Sequence, residues 1–265
     1  MKLKHSILAS SLIVFASTAS ATAIQGNALQ NELDARTTNG DFYDVNNDQY
    51  SPDEQWQINA STQSANSLMF RFAGFKPNTT FGIYDITDSS KRLELFDGSA
   101  DTGYTSTLKL LPFISPTTFQ AKTENQFGVE VSSFQQTFAS TTFGYYLDSS
   151  YYDRGGVFFS ESSRNGDTDG DGIADDHMVA YEGDGTKNID TFGLGGSGAP
   201  FGANEFILAW EDLVFKSENG QLSDFDYTDF VVMVESVTPV PEPGTLALLG
   251  LGLAGLGAAR RRQKA

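Results

Sequence analysis

The residues best equipped for chemistry lie in one stretch, Asp167-Thr168-Asp169-Gly170-Asp171-Gly172-Ile173-Ala174-Asp175-Asp176. Calcium takes about six to eight oxygen ligands, and a loop in which every second residue is Asp turns its carboxylates toward one centre. In this loop Asp167, Asp169 and Asp171 alternate, Gly172 allows the sharp turn, and Ile173 offers its backbone carbonyl. Asp175 stands where a direct or water-mediated ligand belongs, and Asp176 adds a further carboxylate. Two carboxylates ~4 Å apart repel by roughly 4 kcal/mol at an effective dielectric of about 20, so such a cluster is unfavourable without a cation. The plainer alternative is a solvated Asp-Gly turn.

The segment is similar to the opening positions of an EF-hand loop and to the calcium loops of thrombospondin type 3 repeats and dockerins. Met178 stands where those patterns place a last carboxylate. The departure implies weaker affinity, or a carboxylate supplied from elsewhere, and argues against an EF-hand with two flanking helices. A second acidic group comprises Glu211, Asp212, Asp224, Asp226 and Asp229. Within Asn204 to Glu235, Trp210-Glu211-Asp212-Leu213, Asp224-Phe225-Asp226-Tyr227-Thr228-Asp229 and Phe230-Val231-Val232-Met233-Val234 resemble the C-terminal block of a domain-of-unknown-function family of bacterial exported proteins, with Thr228 in place of its usual Asn. That family carries no activity to transfer. Asp224, Asp226 and Asp229 form a candidate second metal site, against the plainer reading of an acidic turn before a strand.

Enzymatic readings find little to work with. His177 is the body's one histidine, so a two-histidine metal site is excluded. Ser197 lies in Gly195-Gly196-Ser197-Gly198-Ala199, which lacks the final Gly of a nucleophile elbow and sits in a glycine-rich loop rather than a strand-to-helix turn. A carboxylate pair can hydrolyse glycosides at a suitable separation, but nothing in the sequence singles out a pair. The expectation is a protein without catalytic activity.

The chain's formal net charge of −17 excludes nucleic acid as a partner, because that affinity comes from Lys and Arg neutralising phosphates. With no cysteine there are neither disulfides nor thiolate zinc sites. Both ends are read as targeting segments. Lys2, Lys4 and His5 precede the apolar run Ile7 to Ala16 and the small residues Ala19-Ser20-Ala21-Thr22-Ala23. This is the order of a secretory signal cut by signal peptidase after Ala21 or Ala23, and the run is well short of the ~20 residues that span a bilayer. At the other end Val240-Pro241-Glu242-Pro243-Gly244 leads into a glycine-rich apolar stretch, Thr245 to Ala259, closed by Arg260, Arg261, Arg262 and Lys264. Two prolines keep the start of this tail extended, and the basic cluster would hold its end on the cytoplasmic side. An uncleaved tail anchor fits these features. The ordered combination more closely resembles a PEP-CTERM sorting signal. The resemblance implies recognition by an exosortase, a membrane protease of exopolysaccharide-producing Gram-negative bacteria, after transient insertion of the C-terminal transmembrane helix in the inner membrane.

The expected organisation is therefore a signal over residues 1–23, an acidic body over 24–239 and the sorting signal over 240–265. The body shows no long helical period. Short alternating or aromatic runs bounded by Gly, Asn, Asp, Ser and Pro predict an all-β fold, a β-sandwich of jelly-roll-like form. Candidate strands include Leu68 to Phe72 before a turn at Lys76-Pro77-Asn78, the run beginning Phe81-Gly82-Ile83-Tyr84, and Phe127 to Val131. Others are Thr141 to Leu147, Gly156 to Ser160, His177 to Tyr181, Glu205 to Leu213 and Phe230 to Val237. Ile24 to Asn47 reads as a polar, mobile entry segment and Thr191 to Gly202 as a glycine-rich loop. The expected role is a calcium-binding cell-surface or biofilm-matrix protein, with exopolysaccharide among its partners. The alternative is a calcium-dependent carbohydrate-binding module that stacks sugars on Tyr145, Tyr146, Tyr151 and Tyr152.

Overall fold

The computed structural model describes residues 22–59, 62–71, 78–150 and 154–241. The predicted C-terminal helix, with Glu242, Pro243 and Arg260 to Arg262, lies outside these residues, as does the predicted signal up to Ala21. Among the described residues no helix is long and apolar enough to cross a membrane. The described residues open with helix α1 (Ala28–Arg36), followed by β1 (Trp56–Ile58), β2 (Gln63–Phe70), β3 (Thr80–Asp85) and β4 (Asp88–Phe96). Next come β5 (Thr105–Leu110), β6 (Thr118–Glu124), β7 (Glu130–Thr137), β8 (Phe143–Asp148) and β9 (Val157–Phe159). The last third holds β10 (Met178–Glu182), β11 (Lys187–Ile189), β12 (Ala199–Phe201), β13 (Glu205–Trp210), β14 (Phe230–Glu235) and β15 (Val237–Pro239).

Two antiparallel sheets dominate. One runs β15-β1-β8-β3-β4 with β9 also paired to β8, and the other runs β10-β13-β14-β2-β5-β6-β7. Their facing sides share one apolar core. Phe81 of β3 stacks on Tyr145 of β8 at 5.6 Å and reaches across to Phe230 of β14 at 5.1 Å and Trp210 of β13 at 6.0 Å. Such contacts place the aromatic residues in the packing between sheets, where each buries a large area.

A second apolar core lies behind the seven-stranded sheet. Along β13, Phe206, Leu208 and Trp210 face the first core while Ile207 and Ala209 face the second. This is why Glu205–Trp210 and Phe230–Glu235 read as continuous apolar runs: strands covered on both faces lose the polar alternation. The cover comes from the N-terminal segment. Leu29 and Leu33 of α1, spaced one helical turn apart, are fully buried, and Ile24, Phe42 and Val45 join them. Residues 24–47 thus form part of the folded body and are not the mobile entry segment that their polarity predicts.

Tyr145 and Tyr146, expected as sugar-stacking platforms, are 0% and 3% exposed. Both faces of β8 are covered, so neither ring is available to a ligand; Tyr151 and Tyr152 lie outside the described residues. Tyr146 packs against Gly82 across the β3–β8 pair, and Tyr84 packs against Gly144 in the same pair. A Cβ at Gly144 would lie 2.4 Å from the Tyr84 ring, so both rings need the glycine opposite. Phe127, Val129 and Val131, expected in a core strand, are exposed, and no residue of the edge strand β7 is buried. Within the glycine-rich Thr191–Gly202 loop, Ala199–Phe201 pairs with β11.

Candidate metal centres

The acidic groups converge because of strand register. Met178 of β10 pairs with Trp210 of β13, and Trp210 pairs with Phe230 of β14. The residues before Met178, after Trp210 and before Phe230 therefore meet at one end of the sheet, and all are acidic or adjoin acids. Among the described residues, two sets of three carboxylates offer ligand atoms within 4.8 Å of one another: Asp167, Asp169 and Asp175, gathered within one loop, and Glu211, Asp212 and Asp229, brought together by the strand register.

In the first set the backbone wraps around Asp167. Its Oδ1 accepts from the Gly170 amide at 2.7 Å and the Asp171 amide at 3.1 Å, and its Oδ2 accepts from the Gly172 amide at 2.9 Å. Gly170 and Gly172 have φ of +80° and +88°, a left-handed backbone that glycine adopts at no steric cost. The Asp175 amide closes the loop by donating to the Gly166 carbonyl at 2.6 Å. Asp175 itself is buried and accepts from the Thr168 amide and hydroxyl. Burial raises its carboxyl above the usual range, while the Thr168 hydrogen bonds pull the other way.

Asp171 and Asp176, also predicted as ligands, fall outside this set of three. Asp171 accepts from the Ile173 amide at 2.7 Å, and the Ile173 side chain is exposed. Asp176 turns away from the loop to accept from the Thr22 hydroxyl at 2.7 Å and the Met178 amide at 3.3 Å. Burial pushes its carboxyl up to about 6. Met178, at the position of the missing last ligand, is fully buried in the main core.

His177 sits between the two sets as a core side chain. Its ring stacks on Phe158 at 3.8 Å and leans on Phe215 at 4.6 Å. Burial pushes the imidazole down to about 3, so it is neutral at physiological pH. Nδ1 lies 3.0 Å from the Glu211 carbonyl, which only accepts, so Nδ1 carries the proton and Nε2 the lone pair. The 4.0 Å approach of Nε2 to Asp175 is therefore not an ion pair.

In the second set Glu211 and Asp212 are 0% and 1% exposed. The Asp212 amide donates to Asp229 Oδ2 at 3.0 Å, and the Leu213 amide donates to Glu211 Oε1 at 3.3 Å. Glu211 Oε2 and both carboxylate oxygens of Asp212 have no hydrogen-bond partner. Burial first, then the Asp229 charge, holds Glu211 and Asp212 well above the ordinary carboxylate range; the Ser223 hydroxyl pulls Glu211 the other way. Of the three residues predicted for a second site, only Asp229 belongs to this set. Asp226 accepts from the Thr228 amide at 2.9 Å and hydroxyl at 2.7 Å, and Asp224 is exposed, though the charges of both raise Asp229. Glu211 and Asp212 stood in the sequence as acids directly after an apolar run. The pairing of Trp210 with Phe230, which brings them to Asp229, was the missing information.

The described chain ends in contact with the body. β15 pairs with β1, and the Val240 amide donates to the Gln55 carbonyl at 2.7 Å. The stretch that resembles a sorting signal thus begins where the last strand leaves the sheet. Residues 239–262 match the family model of the PEP-CTERM protein-sorting motif. The chain carries that motif, which marks an exported protein processed by exosortase for the cell surface or the extracellular space. No curated protein and no solved structure matches the chain.

Proposed function

We propose that this protein is a calcium-binding, non-catalytic component of the cell surface or biofilm matrix, released from or attached to the envelope by exosortase. The observation that carries calcium binding is the convergence of the Asp167, Asp169 and Asp175 carboxylates within 4.8 Å. Opposite ligands of a calcium ion lie about 4.6–5.2 Å apart at bond lengths of about 2.3–2.6 Å, so the set fits within one coordination shell. Oxygen-only donors favour calcium or magnesium over softer metals, and an irregular loop suits calcium better than magnesium's strict octahedron. A fixed cation closing the 166–175 loop on itself would lend an extracellular domain stability that its cysteine-free sequence cannot draw from disulfides.

The non-catalytic reading rests on the surroundings of the candidate groups. His177 is packed between two phenylalanines with Nδ1 committed to the Glu211 carbonyl. The backbone carbonyl of Ser197 accepts from the Thr38 hydroxyl, within the loop beside β12. The test is calorimetric titration of the protein with calcium, alongside Asp169→Ala. A saturable heat in wild type that weakens in the variant supports the reading; no heat in wild type refutes it.

A further inference from the structure

We propose that Glu211, Asp212 and Asp229 form a second calcium site, buried at the ends of β13 and β14 and separate from the Asp167–Asp175 loop. Buried carboxylates are ordinarily paired with a cation or fully hydrogen-bonded. These are neither. Three oxygens, Glu211 Oε2 with Asp212 Oδ1 and Oδ2, lack any partner while their residues are at most 1% exposed. Whichever oxygen Asp212 contributes to the cluster, it is an unpartnered one. Among the described residues, no lysine or arginine forms an ion pair with Glu211, Asp212 or Asp229. The nearby imidazole of His177 meets the backbone carbonyl of Glu211 through Nδ1 and makes no ion pair with these three carboxylates.

The geometry points to a cation that prefers oxygen. All three residues offer ligand atoms within 4.8 Å of one another, close enough to share one calcium ion, across which opposite ligands lie about 4.6–5.2 Å apart. Asp212, with both oxygens free, can bind bidentately, which calcium accepts readily. Backbone amides already orient the other two carboxylates: Leu213 holds Glu211, and Asp212 holds Asp229. The ligands are thus preorganised just beyond the paired ends of β13 and β14 rather than within a single loop, so this site binds more tightly than the exposed one.

Ion counting tests the proposal. The purified full chain is dialysed against calcium with magnesium present as competitor, and bound metal is measured by mass spectrometry. Asp212→Asn, nearly isosteric, should bind a single calcium fewer than wild type. The double variant Asp167→Asn with Asp169→Asn, altered only in the loop, should keep the buried ion. Near-ultraviolet circular dichroism checks that each variant is folded. An unchanged calcium count in Asp212→Asn, or magnesium in place of calcium, overturns the site. So does a loop double variant that binds no ion, and that arm decides the question even when Asp212→Asn does not fold. A loop double variant that binds as many ions as wild type refutes the loop reading instead and leaves the buried site standing.

Discussion

Chelation of calcium should lower the melting temperature of this protein by a predictable amount. The loop gathers Asp167, Asp169 and Asp175 within 4.8 Å, and only the hydrogen bonds of its own backbone and Thr168 offset their repulsion. A ligand that binds the folded form alone stabilises it by about 2.7 kcal/mol at 100 times its dissociation constant. A domain of this size shifts by about 2–4 °C per kcal/mol, so saturation should raise the melting temperature by about 5–11 °C. Met178 replaces the last carboxylate and is buried, so the expected loop affinity is that of extracellular modules, on the order of 10⁻⁴ to 10⁻³ M. Thermal unfolding followed by circular dichroism, in chelator and then in calcium raised to about 10–100 mM, 100 times that dissociation constant, reads the shift. Asp167→Asn and Asp169→Asn should each flatten the millimolar part of the response. A wild-type melting temperature indifferent to calcium would refute the reasoning.

Intact-mass analysis of the processed protein should find a chain ending near Pro243, and replacement of Pro241, Glu242 and Pro243 together should retain it in the inner membrane; recovery of Arg260 to Ala265 on the mature protein would contradict this. Leu33→Ala should cost about 2–5 kcal/mol, read from denaturant unfolding, because the side chain is fully buried under the seven-stranded sheet. Gly144→Ala should cost about 1–3 kcal/mol by displacing the Tyr84 ring, whose hydroxyl donates to Glu161 at 2.6 Å. Tyr84→Phe removes that hydrogen bond from a buried carboxylate and should cost about 1–3 kcal/mol in the same assay, while wild-type stability in either variant would show that the network is slack.

The strands most legible in the sequence were those with apolar residues on both faces, such as Glu205–Trp210 and Phe230–Glu235. Strands β5 and β6 escaped detection because their inward positions include Ser106 and Thr123, which are buried yet polar. Thr123 solves its burial by donating to the Leu95 carbonyl at 2.6 Å, a contact invisible to an apolar alternation. Helix α1 escaped because only Leu29 and Leu33 mark its inner face, too few to show a helical period. Phe127, Val129 and Val131 misled in the other direction, since alternation near an edge strand does not say what covers it. The first carboxylate set was readable because its members are local, spaced along one glycine-containing loop. The second depended on which strands pair: Asp229 meets Glu211 and Asp212 through the register of Trp210 with Phe230. The motif at 239–262 needed no fold at all, because its parts act in linear order.

A crystal structure of the protein grown in millimolar calcium tests the central claim most directly. The account predicts a strong, spherical density peak about 2.3–2.6 Å from carboxylate oxygens of Asp167, Asp169 and Asp175. Water in its place at hydrogen-bond distances of about 2.7–3.0 Å, with the three carboxylates splayed into solvent, would contradict it.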